Sequence, residues 1–457
     1  MFNSSLSLKL SLRHILGVDV RKYIVLALCS SSIFVHAGSS SINPGSSMSM
    51  GASSNHHSLS SALNNPAMNS LVIKEDENWR LSFLPTIAFN LELGQVDDFA
   101  DDLDELIDII DDPNSTTDSV TDTLDRFNQT LVKMGESGYL KSSLHIDAPF
   151  LPLAVRSDVL GGTLGLGLSM DTQIALRILD DDLSFDEQNG TFSTATSLYI
   201  KSGIAKKLSL SYSRSMLNNI VQLTERGTLY GGVKLNVISL DLSKQVTQIQ
   251  QLDGQGVEDV VEDEYDNNLE STTNVGIDLG LVWDTPKYRL GLVFENLNSP
   301  EFDYGTIGED CATREENSLL RTNCEVAAEF IQNKGTIKAR EAHTMHAYTR
   351  VDALYKLNER WLISSTLDLA SYEDVVGFEN QWAHLATSYN FKNNIIPSLR
   401  IGYQQNLAGD STSSLAFGAT ILKYFSLDFE WGLESVSVDD SSAPRRFGFS
   451  FSVQERF

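Results

Sequence analysis

The sequence predicts an all-β protein, an antiparallel transmembrane β-barrel of about fourteen strands, and three observations lead to it. The first is the C-terminal strand. In residues 447–457, Phe447, Phe449, Phe451 and Val453 alternate with Gly448, Ser450 and Ser452, and the chain stops on Phe457. A strand written this way offers one face to lipid and the other to a polar lumen. An aromatic end of this kind, here Phe449, Phe451, Val453 and Phe457, is what barrel assembly machinery reads, although Glu455 breaks the apolar row. The second observation is that the same period of two runs from residue 162 to the end. The third is a secretory signal: Arg21 and Lys22 precede an apolar run over 23–35, which exits through Val35-His36-Ala37. That run is too short to span a bilayer. A soluble β-sandwich can end on a similar strand, but regularity over the whole chain argues against several soluble domains.

Taken in order, residues 1–37 form the signal peptide, and Cys29 belongs to the discarded part because Leu28 is too large for a lipoprotein signal. Removing Lys9, Arg13, Arg21, Lys22 and Asp19 takes the net charge from -27 to -27 - 3 = -30 over the remaining 457 - 37 = 420 residues. Nucleic acid is thereby excluded as a partner, since phosphate binding needs clustered cations. Residues 38–73 contain no Asp, Glu, Lys or Arg and are rich in Ser, Gly and Asn. Such a segment cannot bury a core of its own, so 38–78 is expected to be a plug or hatch at the barrel mouth.

The barrel proper is expected over 79–457. Residues 80–93 alternate as a first strand, with Pro85 tolerated only near an edge or bulge. Over about 97–134, Leu103, Leu106, Ile107 and Ile110, then Val120, Leu124, Phe127 and Leu131, recur at helical spacing around Asp112-Pro113-Asn114. This predicts a helical hairpin between the first two strands. From 162, Leu164, Leu166, Leu168 and Met170 face one way, and Gly165, Gly167, Asp171 and Arg177 face the other, where a wet lumen suits charge. Further strands are expected at about 193–205, 206–215, 228–246, 271–284, 287–297, 340–356, 359–371, 380–391, 396–406, 411–422 and 424–434. Tight turns alternate with long loops in the C-terminal half, as barrels require. A tight turn at Ala205-Lys206-Lys207 falls on the wrong side and breaks this alternation.

Three motifs give the chain a family likeness. Asn65-Pro66-Ala67 after the Ser/Gly-rich segment, Val275-Gly276-Ile277-Asp278-Leu279-Gly280-Leu281, and Asn296-Leu297-Asn298-Ser299-Pro300-Glu301-Phe302 resemble elements of the FadL-like outer-membrane barrels. With the early helical hairpin, the chain resembles most the TraF-type, plasmid-transfer branch of these barrels. No Cys-x-x-Cys is present, so the thioredoxin-like protein that shares that name is not the relative. The resemblance implies a luminal hatch, with Asn65, Pro66 and Ala67 as its ligand or hatch residues. From the residues alone, Asn65-Pro66 fixes extended geometry before a strand, and an ordinary turn reads equally well.

No catalytic motif appears, whether nucleophile elbow, metalloprotease helix or phosphate loop. His343 and His346 lie three apart and make a poor chelate on a strand. Two acidic stretches, Asp97 to Asp112 on the first helix and Glu258 to Glu270 in a loop, read as solvated faces without EF-hand spacing. No enzyme activity, cofactor or metal is therefore expected. Cys311 and Cys324 share one long connection of an exported protein and are expected to form a disulfide. The partners expected are outer-membrane lipid and the assembly machinery of the bacterial cell outer membrane. Two functions remain open: a passive channel for a small hydrophobic ligand, and a non-transporting surface or assembly protein of conjugal transfer. An apolar space under the hatch favours the first; a lumen filled with charged pairs favours the second.

Overall fold

The computed structural model describes residues 43–111, 119–222, 225–251, 257–438 and 441–453. The signal peptide, Cys29, Asn114, Glu455 and Phe457 lie outside the described residues.

Fourteen antiparallel strands close into a barrel: β1 (Ile87–Leu93), β2 (Tyr139–Asp147), β3 (Gly162–Leu179), β4 (Ser197–Gln222), β5 (Glu225–Gln248), β6 (Glu270–Asp284), β7 (Tyr288–Glu295), β8 (Tyr348–Lys356), β9 (Trp361–Asp368), β10 (Trp382–Asn390), β11 (Ser398–Asn406), β12 (Ser413–Ile421), β13 (Phe425–Gly432) and β14 (Arg446–Ser452). Each pairs with its chain neighbours. The ring closes where Phe89 of β1 faces Phe449 of β14, so no edge is left open. Trp79–Leu81 pairs with Leu153–Ser157, and the two prolong β1 and β2 beyond interruptions at 82–86 and 148–152. Pro85, which has no amide hydrogen to give a ladder, sits in the first interruption.

Alternation sets the two faces. Phe425, Leu427, Phe429, Trp431 and Leu433, and Phe447, Phe449, Phe451 and Val453 beside them, point outward, while Ser426, Asp428, Glu430, Gly448, Ser450 and Ser452 are buried inside. Phe417, Phe429 and Phe449 lie in one cross-strand row. Leu210, Leu235, Leu279, Leu290, Leu385 and Ile401 extend the exposed apolar belt around the barrel. A continuous belt of this kind is stable only against hydrocarbon. No described helix is long and apolar enough to cross a membrane; the strands do so.

Two departures from the sequence reading cancel in the strand count. Strand β2 is not anticipated: Tyr139, Lys141, Ser143, His145 and Asp147 face inward, and Ser142 interrupts the outer row, so Tyr139–Asp147 has the composition of a loop. The two strands expected at 193–205 and 206–215 are a single strand, β4, and the expected turn at Ala205-Lys206-Lys207 lies within it. Lys206 points outward to Asp241 of β5 at 2.7 Å, while Lys207 points into the lumen. Further along the same outer face Ser243 and Gln245 donate to Tyr265 O and Val261 O of a covering helix, so polar groups replace the belt there. The strand expected over 340–356 is β8 preceded by a separate short strand, Ala342–Thr344, which pairs with Glu301–Asp303.

The helices gather at the end bearing the long loops. Helix α1 (Phe99–Asp111) and α2 (Val120–Ser137) follow β1, and Leu106, Ile109, Phe127, Leu131 and Met134 pack on Ile178, Leu183 and Phe192. Ser119 caps α2 by accepting the amide hydrogen of Asp122. The acidic stretch expected as a loop contains helix α3 (Val257–Asn267), which turns Glu264 inward onto Arg314 at 3.0 Å. Helix α4 (Leu319–Glu329) carries Cys324, disulfide-bonded to Cys311.

Candidate functional site

Inside the wall, residues 43–73 run round the lumen as short helical turns, Ser47–Met50, Ser60–Asn64, Pro66–Met68 and Asn69–Val72. Helices this short cannot hold themselves, and the wall holds them instead. The Gly45 amide donates to Ser450 Oγ of β14 at 2.7 Å. Ser49 donates to Asp428 of β13, and Arg400 of β11 donates to Ser49 Oγ at 3.1 Å. Met50 O accepts from Ser364 of β9. Asp352 of β8 accepts from Ser54 N and Oγ at 2.8 and 3.0 Å, and Arg289 of β7 donates to Ser54 O at 2.8 Å. Arg80 donates to the carbonyls of His56 and Val72, both at 3.0 Å, and to that of His57. Asn69 and Ser70 end the circuit on Ser211 and Ser213 of β4.

Asn65, Pro66 and Ala67 sit close against the wall. The Asn65 side chain accepts from Ala67 N at 3.0 Å, capping the turn, and donates to Leu281 O at 3.3 Å. A Cβ at Gly280 would overlap Asn65 Oδ1, and one at Gly232 would overlap the Pro66 and Ala67 backbone. The glycines make a notch in the inner faces of β5 and β6 into which the turn fits. Leu59, Ala62, Ala67, Met68, Val72, Ala154 and Val282 form a small apolar cluster there.

Elsewhere the lumen is filled by buried ion pairs. Arg400 and Asp428 lie 3.1 Å apart across β12. Arg446 bridges Glu92 at 2.5 Å and Glu430. Lys234 pairs with Asp278 at 3.0 Å, and Arg350 with Asp368 at 2.8 Å and Glu295 at 3.2 Å. His145 Nδ1 is 2.8 Å from Asp171. Toward the loop end an apolar layer takes over. Val375 and Val376 from the β9–β10 loop, with Phe302, Tyr304 and Met345 from the β7–β8 connection, pack on Ala175, Ala205, Ile238, Leu240 and Leu242. Asp374 anchors that loop on Lys141 of β2 at 2.6 Å. Burial acts to raise the Asp374 carboxyl, but Lys141 and the amides of Phe378 and Val376 outweigh it and lower its pKa.

A cavity of about 100 Å3 lies between Leu63 and Asn64 of the luminal segment and the charged wall of β2 to β8. Most of its lining residues are polar, but polar and apolar atoms share its surface about equally, with Leu63, Leu168, Ile238 and Met345 among them. Among the described residues no three of His, Cys, Asp or Glu converge on a metal position.

A family model described as the F plasmid transfer operon TraF protein matches residues 62–368, two thirds of the chain. The chain belongs to that family. The TraF match covers the luminal turn, the helical hairpin and strands β1 to β9. No curated protein sequence matches the chain. Among solved structures it is similar to a deletion mutant of the TodX monoaromatic hydrocarbon channel (14% identity, TM-score 0.46, covering 90% of this chain and 98% of that one). It is also similar to the CymD monoaromatic hydrocarbon channel (12%, 0.44, 91% and 97%) and to a Pseudomonas aeruginosa FadL homologue (12%, 0.38, 92% and 98%).

Of the residues singled out in the sequence, Asn65, Pro66 and Ala67 lie together on the wall, whereas Cys311 and Cys324 belong to the connection between β7 and β8. Phe449, Phe451 and Val453 face outward, away from both. Sequence reasoning missed the latches Arg80, Arg289, Asp352, Arg400 and Asp428. Inward position on an alternating strand was the one available signal.

Proposed function

We propose that this TraF-family barrel is a closed-lumen outer-membrane protein that serves conjugal plasmid transfer as a surface or assembly component, not as a solute channel. One observation carries the reading: apart from one cavity of about 100 Å3, the lumen beside residues 43–73 is occupied by the segment itself and by buried ion pairs. A path for hydrophobic solutes needs an apolar lining with space in it, and carboxylates and guanidiniums held this closely give neither. The apolar belt and closed strand ring support the outer membrane as its location. The helical cap over the loop end then faces outward, available to other components. No step in this reading is catalytic.

The test pairs two measurements. Vesicles reconstituted with the full mature chain are expected to exclude toluene-sized and sugar-sized solutes as well as protein-free vesicles do. Donor cells lacking the chain are expected to lose conjugative transfer frequency. Solute flux through the native protein, with transfer unchanged in the deletion strain, would overturn the proposal.

The second reading, a passive channel for small hydrophobic compounds, draws on the apolar layer of Phe302, Tyr304, Met345, Val375 and Val376. If the β9–β10 loop swings away, that layer becomes an apolar entrance, and flux of aromatic over sugar solutes is the result that favours it.

A further inference from the structure

The tight-turn end of the lumen carries basic groups that the carboxylates beside them do not match. Arg289 of β7 spends Nε and one terminal nitrogen on Asp284 of β6 at 2.8 and 2.7 Å. Its other terminal nitrogen donates to Ser54 O and, at 3.2 Å, to His56 Nδ1. Asp352 is committed to Ser54. Arg80 holds the carbonyls of His56 and His57, and the two imidazoles stack with ring centres 4.1 Å apart. The charged groups acting most strongly on the His56 ring are His57, Arg289, Lys356 and Arg80, all of them basic. Lys356 ends β8 just before the tight turn to β9, and its Nζ has no ion-pair or hydrogen-bond partner among the described residues.

A guanidinium can only donate, so His56 Nδ1 accepts and the ring carries its hydrogen on Nε2. That N–H also lacks a partner among the described residues. Both side chains are half-buried, and neither nitrogen is sealed from solvent. Two neighbouring donors without an acceptor, one of them charged, suit an oxyanion, whose two oxygens can each take one hydrogen. We infer that the tight-turn mouth of the lumen binds an oxyanion, a carboxylate or a phosphate, held by Lys356 Nζ and His56 Nε2. Short turns face the periplasm in barrels of this class, so the anionic group belongs to a periplasmic molecule. His56 lies in the luminal segment and Lys356 in the wall. Occupation therefore braces one against the other. The inference goes beyond the closed-barrel reading and stands whether the barrel passes solutes or not.

The experiment titrates the full mature chain in detergent, at fixed ionic strength, with phosphate and with acetate. Heat is read by calorimetry and the histidine nitrogens by NMR, with the His56 signal assigned through His56→Gln. At least one anion is expected to bind saturably and to move the His56 Nε2 signal with the same midpoint. The tighter of the two names the source, a phosphate-bearing or a carboxylate-bearing molecule. Lys356→Met should weaken binding about tenfold, one charged contact being worth about that factor. Lys392→Gln, at an exposed lysine of the β10–β11 turn, should leave it unchanged. No saturable binding of either anion below about 50 mM overturns the inference, since weaker association is that of any exposed ion pair. An equal loss in the two lysine variants, or a His56 signal that stays still while heat is released, also overturns it. Should Lys356→Met fail to fold, the wild-type His56 signal decides alone.

Discussion

At Gly232 and Gly280 a single missing Cβ decides whether the luminal segment can seat at all. Gly232→Val would drive a branched side chain into the Pro66 and Ala67 backbone, which has no rotamer with which to yield. The segment, not the fourteen-strand wall, is the part that moves. Gly232→Val is therefore expected to make residues 43–73 protease-sensitive while the barrel keeps its heat-resistant migration on gels; an unchanged digest would show the notch to be unimportant. On the outer face, Phe429 is 48% exposed within the Phe417–Phe429–Phe449 row. Phe429→Arg should cost roughly 2–4 kcal/mol if that row lies at mid-bilayer, measured as a shift in urea unfolding from vesicles. Inside, Arg400→Ala strands Asp428 in the buried interior at a cost of about 3–5 kcal/mol. The double variant with Asp428→Ala should recover part of that loss; equal stability of single and double variants would deny the coupling. The outward residues were legible in the sequence because alternation alone marks them. The notch and the latches were not: apart from Arg80, whose partners are near in sequence, their partners stand over 150 residues away along the chain, as Ser49 does from Asp428.

Elements were legible wherever one periodicity ran undisturbed, as in α1, α2 and strands β9 to β14. Strand β2 was hidden because its inner face does the work of a binding surface, with Lys141, His145 and Asp147 in place of neutral residues. Strand β4 appeared cut in two because Lys206 and Lys207 serve opposite faces. The connection between β7 and β8 shows a further effect that spacing does not reveal. His343, opposite Phe302 in a short ribbon, is buried, and that burial brings its pKa down to about 4 against opposing pull from Asp374 and Glu341. Lys201 and His346 add to the lowering. A histidine whose folded pKa lies below its unfolded value of about 6.5 gives its full stabilisation above that value and loses it as pH falls toward 4. The difference is on the order of 3 kcal/mol. Protection against hydrogen exchange over residues 300–345, taken relative to the intrinsic rate at each pH, should accordingly fall between pH 6.5 and 4, and His343→Leu should flatten that response. Equal acid sensitivity in wild type and variant would assign it to other groups.

For the whole molecule, the question is how many barriers close the lumen. The sequence points to one, the Ser/Gly-rich segment, and on that basis its removal alone should open the barrel. The structure contains a second. The layer of Phe302, Tyr304, Met345, Val375 and Val376 packs on the inner face of β3 to β5 nearer the loop end, fixed by Asp374 to Lys141, by Phe378 under Arg177 at 4.1 Å, and by Val375 against Gly203. None of these contacts uses residues 38–61. Deleting 38–61 strips Ser49 from Asp428 and Ser54 from Asp352, and water can solvate the charges left behind. The ladders and the lipid belt are untouched, so assembly should proceed. Vesicles carrying this deletion are thus expected to stay as tight to sugars as wild type. A second deletion, of residues 370–379, should leave them tight on its own account and make them leak only when combined with the first. Flux from the 38–61 deletion alone would mean that the apolar layer opens without help, and the channel reading would then replace the closed-barrel one.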